Sequence, residues 1–121
     1  GSAPYPESTK VKEAVKIVKS KKPDLIIDGE MQADTAVVPE ILDKTFPFAS
    51  IKGGANVLVF PDLNSANIAY KLLARIGQAT VVGPILMGMN KPVHILQRDA
   101  TVDDIINMTA IAVVEAQQTK K

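Results

Sequence analysis

The chain has 121 residues, 46% of them hydrophobic and 22% charged, and it contains no cysteine. That length suits one domain with its own core, which at this size buries roughly two-thirds of the surface exposed by the unfolded chain. Fourteen Lys and Arg against 13 Asp and Glu leave a net charge of +1, so no strong field draws in nucleic acid or an anionic membrane, and neither partner is expected.

Absence of cysteine removes disulfides, thiolate nucleophiles and cysteine metal sites, and agrees with a reducing, cytoplasmic setting. Residues 1–8 read as an extended leader. Gly1-Ser2 is either a remnant of cloning or native, and a start inside such a loop reads like an excised piece. No secretory apolar region follows it. From residue 9 to 21, Val11, Ala14, Val15 and Val18 recur at helical spacing with lysines on the other face, and Pro23 stops the helix. The six lysines between Lys10 and Lys22 read as a solvated face, since no aromatic residue or arginine interleaves them.

Leu25-Ile26-Ile27 suits a short buried strand opening into a turn at Asp28-Gly29. Residues 33–44 carry Ala36, Val37, Ile41 and Leu42 at helical spacing, but Pro39 should kink this helix or restart it as a first-turn residue. Phe46-Pro47-Phe48 and Gly53-Gly54 mark a loop, and residues 56–60 are the clearest strand. Asn64 or Asp62 caps a helix whose apolar face is Ile68, Ala69, Leu72, Leu73 and Ile76, with Gly77 as its left-handed stop. Residues 79–82 and 93–96 are two further short strands, separated by a glycine- and methionine-containing turn over residues 83–92. That stretch includes the longest apolar run, residues 81–89, which Gly83, Pro84 and Gly88 break and which falls short of the roughly 20 residues that span a bilayer. A last helix over residues 102–117 turns Ile105, Ile106, Thr109, Ala112, Val113 and Ala116 inward. The alternation predicts an α/β fold, with a mainly parallel sheet flanked by helices on both faces.

In such a sheet ligands sit outside the carboxyl ends of the strands. Arg98, one of two arginines, lies between a strand end and a helix start, where a guanidinium and backbone N–H groups can hold a phosphate; the alternative is a surface arginine paired with Asp99 or Asp103. Asp104 follows Thr101 by three residues, the spacing of a capping-box variant. His94, the only histidine, lies in an apolar run and reads as packed rather than catalytic. Asp28, Glu30 and Asp34 have no histidine beside them and serve turns and caps as readily as a ligand, so no metal site is proposed. Met87 and Met89 suit either a flexible pocket wall or loop packing. The sequence contains no dinucleotide fingerprint, Walker loop or nucleophile triad.

Four runs carry a resemblance: Asp28-Gly29-Glu30-Met31-Gln32-Ala33-Asp34, Ala55-Asn56-Val57-Leu58-Val59-Phe60-Pro61-Asp62-Leu63, Asn67-Ile68-Ala69-Tyr70-Lys71-Leu72 and Gly83-Pro84-Ile85-Leu86-Met87-Gly88. In this order they resemble the carboxyl-terminal part of the phosphate acetyltransferase family, from about Val11 onward. Lys91-Pro92-Val93-His94-Ile95-Leu96-Gln97-Arg98 is similar to the form fused to bacterial NADP-dependent malic enzymes. Phosphate acetyltransferases have an Asn-Asp-Leu-Ser-Arg-Gly pattern here, then an acidic residue that acts as base toward the coenzyme A thiol. Arg98 and Asp104 match the arginine and the acid, whereas Gln97 stands for the serine, Asp99 for the glycine and His94-Ile95 for Asn-Asp. The resemblance therefore implies an inactive, regulatory and oligomerising segment that recognises acetyl-CoA or coenzyme A, with Gly83, Pro84, Met87, Gly88, Gln97, Arg98 and Asp104 as the ligand-binding positions. It also implies a homo-oligomer, a dimer or larger, and an upstream malic enzyme domain holding NADP and Mg or Mn. The alternative is a piece of a phosphate acetyltransferase that moves acetyl between coenzyme A and phosphate.

Overall fold

Five helices make up the regular structure of residues 4–118, the part of the chain described by the computed structural model. They are α1 (Pro6–Lys21), α2 (Ala33–Val37), α3 (Pro39–Thr45), α4 (Leu63–Arg75) and α5 (Val102–Gln118). Gly1-Ser2 lies outside the described residues, so its two readings are not addressed by the structure. The chain divides into two units, residues 1–70 and 71–121.

In the first unit α1 begins at Pro6, three residues before the start expected from its spacing. Proline suits the first helical position because its fixed φ is helical and its missing N–H would be unpaired there anyway. Val15 faces the core, and a Cβ on Gly29 would come within 3.5 Å of its Cγ2, so the Asp28-Gly29 turn lies against this face of α1. Pro39 behaves as the second of the two expectations: α2 stops at Val37, Val38 is extended, and α3 restarts with Pro39 in its first turn. The two short helices pack on one another and bury Ala36 and Leu42, which with Val15 and Ala49 make the apolar core of this unit. The glycine loop closes on α2, where Ala55 N–H donates to the Ala36 carbonyl at 2.7 Å. Gly54 is at φ +90, a left-handed conformation that favours glycine, and a Cβ there would sit 3.3 Å from Val37 O, a tight approach.

Asp62, not Asn64, caps α4: its Oδ1 accepts the Ser65 N–H at 2.7 Å. At the other end, Gly77 is not the left-handed residue. That conformation falls on Gln78, at φ 52, while Gly77 is needed because a Cβ would lie 2.7 Å from the Leu73 carbonyl oxygen.

No strand forms among the described residues, and residues 25–27, 56–60, 79–82 and 93–96 run as irregular backbone. An apolar run marks a segment that a sheet would bury, but it becomes a strand only when neighbours pair its N–H and C=O groups. Without that pairing Ile26 is 74% and Val59 84% exposed. The helix faces expected to lie on the sheet are open as well. Ile68, Leu72 and Leu73 of α4 and Ile76 just after it are exposed, as are Ile105, Ile106 and Val113 of α5, whose one buried residue is Met108. The accessible area is 9802 Å². A monomeric protein of 12.9 kDa is expected to expose about 6,300 Å². Among the described residues no helix is long and apolar enough to cross a membrane.

Candidate functional site

The site is built at the start of α5, in the second unit. Ala100 N–H donates to the Gln97 carbonyl at 3.1 Å, closing a tight turn with Arg98 and Asp99 at its tip. Arg98 is exposed and, among the described residues, pairs with neither Asp99 nor Asp103. Thr101 then caps α5. Its Oγ1 accepts the Asp104 N–H at 3.2 Å and donates to Asp104 Oδ2 at 2.8 Å, while its own N–H donates to the same Oδ2 at 2.8 Å. This is the reciprocal arrangement of a capping box, with aspartate in the usual place of glutamate. The Thr101 backbone N–H and then its hydroxyl hold the Asp104 carboxyl below its ordinary pKa, because both stabilise the ionised form. The first-turn N–H groups of Val102 and Asp103 have no intrahelical acceptor and remain at the open end of the helix.

Met87 and Gly88 line a different place. A shallow cavity of about 260 Å³ is walled by Leu86, Met87, Gly88, Met89, Lys91 and Pro92 on one side and by Glu115 and Gln118 on the other. Asp104 and Glu115 are separated by 11 residues of α5, about 16 Å along the helix axis. The seven predicted ligand positions therefore do not all meet: Gln97, Arg98 and Asp104 gather at the start of α5, and Met87 and Gly88 lie toward its end. Gly83 and Pro84 are not part of the cavity wall.

His94 is packed, as its apolar setting predicts, with its side chain 3% exposed, although not in a strand. Its Nε2 lies 2.8 Å from Glu115 Oε2, so it donates to the carboxylate and ties residues 92–94 to the last turns of α5. Nδ1 is buried without a hydrogen-bond partner among the described residues. No local signal marks Glu115 in the sequence, since 21 residues separate the pair.

Asp28 and Asp34 in the first unit serve the backbone. Burial acts to raise the Asp28 pKa, but hydrogen bonds from the Ser50 and Gly29 N–H groups, with the Lys19 charge, prevail and lower it. Asp34 Oδ1 accepts the Thr35 N–H at 2.7 Å. Among the described residues no three His, Asp or Glu side chains converge on a possible metal position. Three of the six lysines of the basic face make contacts: Lys16 meets Glu13, Lys19 lies 3.8 Å from Asp28, and Lys10 donates to the Pro61 carbonyl.

Comparison with known proteins turns the resemblance into membership. Residues 1–113 match the family described as phosphate acetyl/butaryl transferase. The chain belongs to this family. Phosphate acetyltransferase of Bacillus subtilis is 47% identical over 116 residues, covering 96% of this chain and 36% of that protein. NADP-dependent malic enzyme of Escherichia coli is also 47% identical, over 118 residues that cover 97% of this chain and 16% of that protein. The phosphate acetyltransferase of Clostridium acetobutylicum is 48% identical over 118 residues, 98% of this chain and 35% of that protein. Among solved structures, the EutD phosphotransacetylase from Staphylococcus aureus superposes with a TM-score of 0.83 at 42% identity, over 98% of this chain and 36% of that one. The fold is thus that of part of a phosphotransacetylase, and the chain spans about a third of the length of its phosphate acetyltransferase relatives.

Proposed function

We propose that this segment of the phosphate acetyl/butaryl transferase family is the acetyl-CoA- or coenzyme A-sensing, oligomerising part of an NADP-dependent malic enzyme, a protein that oxidatively decarboxylates malate to pyruvate. The turn Gln97-Arg98-Asp99 carries this reading. The family pattern named above has serine and glycine on either side of the arginine, and here a carboxamide and a carboxylate flank it instead. A carboxylate next to the guanidinium competes for it and repels an incoming phosphate, by about 1 kcal/mol in solvent and more where shielded. Asp99, Asp103 and Asp104 together favour the uncharged thioester or thiol end of the ligand over a phosphate at this place. Arg98 then holds the thioester carbonyl oxygen, assisted by the open N–H groups of Val102 and Asp103. The 47% identity to the E. coli malic enzyme supports the parent protein, whose upstream domain would hold NADP and the divalent metal.

Retention of Arg98 and Asp104, with equal identity to the B. subtilis enzyme, favours a second reading, a piece of a phosphate acetyltransferase. Formation of acetyl phosphate from acetyl-CoA and phosphate separates the two. The regulatory reading expects none, and clear turnover abolished by Asp104→Asn supports the enzyme.

A further inference from the structure

Val93 and residues 95–99 are exposed, and within this stretch the His94 side chain alone is buried. Its Nδ1 has no partner among the described residues, so donation from Nε2 to Glu115 Oε2 at 2.8 Å is the hydrogen bond that orients the ring. Breaking such a bond leaves a buried donor with no water to replace its acceptor, which makes His94 a firm anchor for the chain on its way to Arg98. The other anchor is Thr101, fixed at the start of α5 by its exchange of hydrogen bonds with Asp104.

Both anchors lie on α5. Glu115 is 14 residues beyond Thr101, about 21 Å along the helix axis. Between His94 and Thr101, the bond from Ala100 N–H to the Gln97 carbonyl closes a turn whose ends stay within about 7 Å. The three residues before the turn add at most about 11 Å and the step to Thr101 about 3.8 Å, so the segment reaches about 22 Å. It runs back along α5 with little slack beyond the lengths of the His94 and Glu115 side chains, and Arg98 sits at the tip of its turn.

We propose that Glu115 is a positioning residue for Arg98: by holding His94 against the last turns of α5, it sets where the Gln97-Arg98 turn meets the acyl-coenzyme. This rests on the coenzyme-binding reading given above and adds to it a residue remote from the ligand. The phosphate acetyltransferase pattern has Asn where this chain has His94, and that amide is one bond too short to make the same contact. Glutamine at 94 donates over the same number of bonds as the imidazole Nε2, and glutamine at 115 keeps an acceptor oxygen.

The test is calorimetric titration of the full-length protein with acetyl-CoA, with the fold of each variant followed by circular dichroism. His94→Gln and Glu115→Gln should stay within about twofold of wild type, whereas His94→Asn and Glu115→Leu should each weaken binding about fivefold or more. His94→Asn carries the residue of the family pattern, so a loss shared by both variants is not a consequence of misfolding. In an Arg98→Ala background Glu115→Leu should change the affinity by less than about twofold, because its effect passes through the arginine. A merely structural role would instead give the same loss in both backgrounds, which overturns the proposal. So does a loss in Glu115→Leu that His94→Asn does not share. If Arg98→Ala weakens binding while His94→Asn and Glu115→Leu keep wild-type affinity, positioning by Glu115 is overturned and the coenzyme site stands. If Arg98→Ala itself binds acetyl-CoA as wild type does, the site reading fails and this inference with it.

Discussion

The Asp28 carboxylate accepts the N–H of Ser50, 22 residues ahead, at 2.7 Å through Oδ2, while its Oδ1 accepts the N–H of Gly29 at 3.0 Å. One side chain thereby ties the turn after α1 to the loop after α3. Asp28→Asn has a single acceptor oxygen and must turn an NH₂ toward one of those N–H groups. It should cost about 1 kcal/mol in urea unfolding, below the roughly 1.5 to 3 kcal/mol of charge-assisted bonds because the carboxylate is partly in water. The folded pKa of Asp28 is depressed below its ordinary value, so its contribution is complete above the ordinary pKa and is lost as pH falls through the lower, folded value. The acid limb of the stability profile should therefore be shallower in Asp28→Asn than in wild type.

His94 and Glu115 fasten the segment before the Gln97-Arg98 turn to α5 through the buried His94 side chain. His94→Ala and Glu115→Ala should each destabilise the protein, and the double variant should lose less than the sum, with a coupling of about 0.5 to 3 kcal/mol. Additive losses in denaturant unfolding would show that the pair does not act as a unit.

At the end of α4 the roles of two adjacent residues are exchanged relative to the sequence expectation. Gln78→Gly should stabilise by about 0.5 kcal/mol, the balance between relief of a left-handed φ and greater freedom of the unfolded chain. Gly77→Ala should instead destabilise by at least about 1 kcal/mol, because the Leu73 carbonyl that its Cβ meets is backbone and cannot move aside cheaply. Thermal melts of both variants check the order.

Helices were readable wherever one segment contains its own signals. Pro39 marks the restart of α3, Asp62 the start of α4, and the Thr101 to Asp104 spacing the start of α5. The sheet was not readable in the same way, since residues 56–60 have the composition of a strand but, among the described residues, no partner that completes one. Helix faces failed for the same reason: the periodicity of Ile68, Leu72 and Ile76 states which side is apolar, not what covers it. In the site, Arg98 and Asp104 were visible as motif residues, whereas Glu115 was not, because its relation to His94 exists only after the chain has folded.

The accessible area exceeds the value expected for a monomer of this mass by more than half, and many large apolar side chains are exposed. Apolar patches beyond a few hundred Å² find partners, so the protein should be a dimer or larger. Light scattering over a wide concentration range checks this, and a monomeric mass throughout would count against an oligomerising role.

Inhibition of malate-dependent NADP reduction by acetyl-CoA, measured in the full-length protein with and without Arg98→Ala, tests the regulatory account most directly. Arg98 holds the thioester oxygen in that account, and loss of about 1.4 kcal/mol corresponds to a tenfold change in affinity. The account predicts inhibition weakened roughly tenfold or more with uninhibited malate turnover unchanged. Wild-type sensitivity to acetyl-CoA in Arg98→Ala, with the fold intact by circular dichroism, would contradict it.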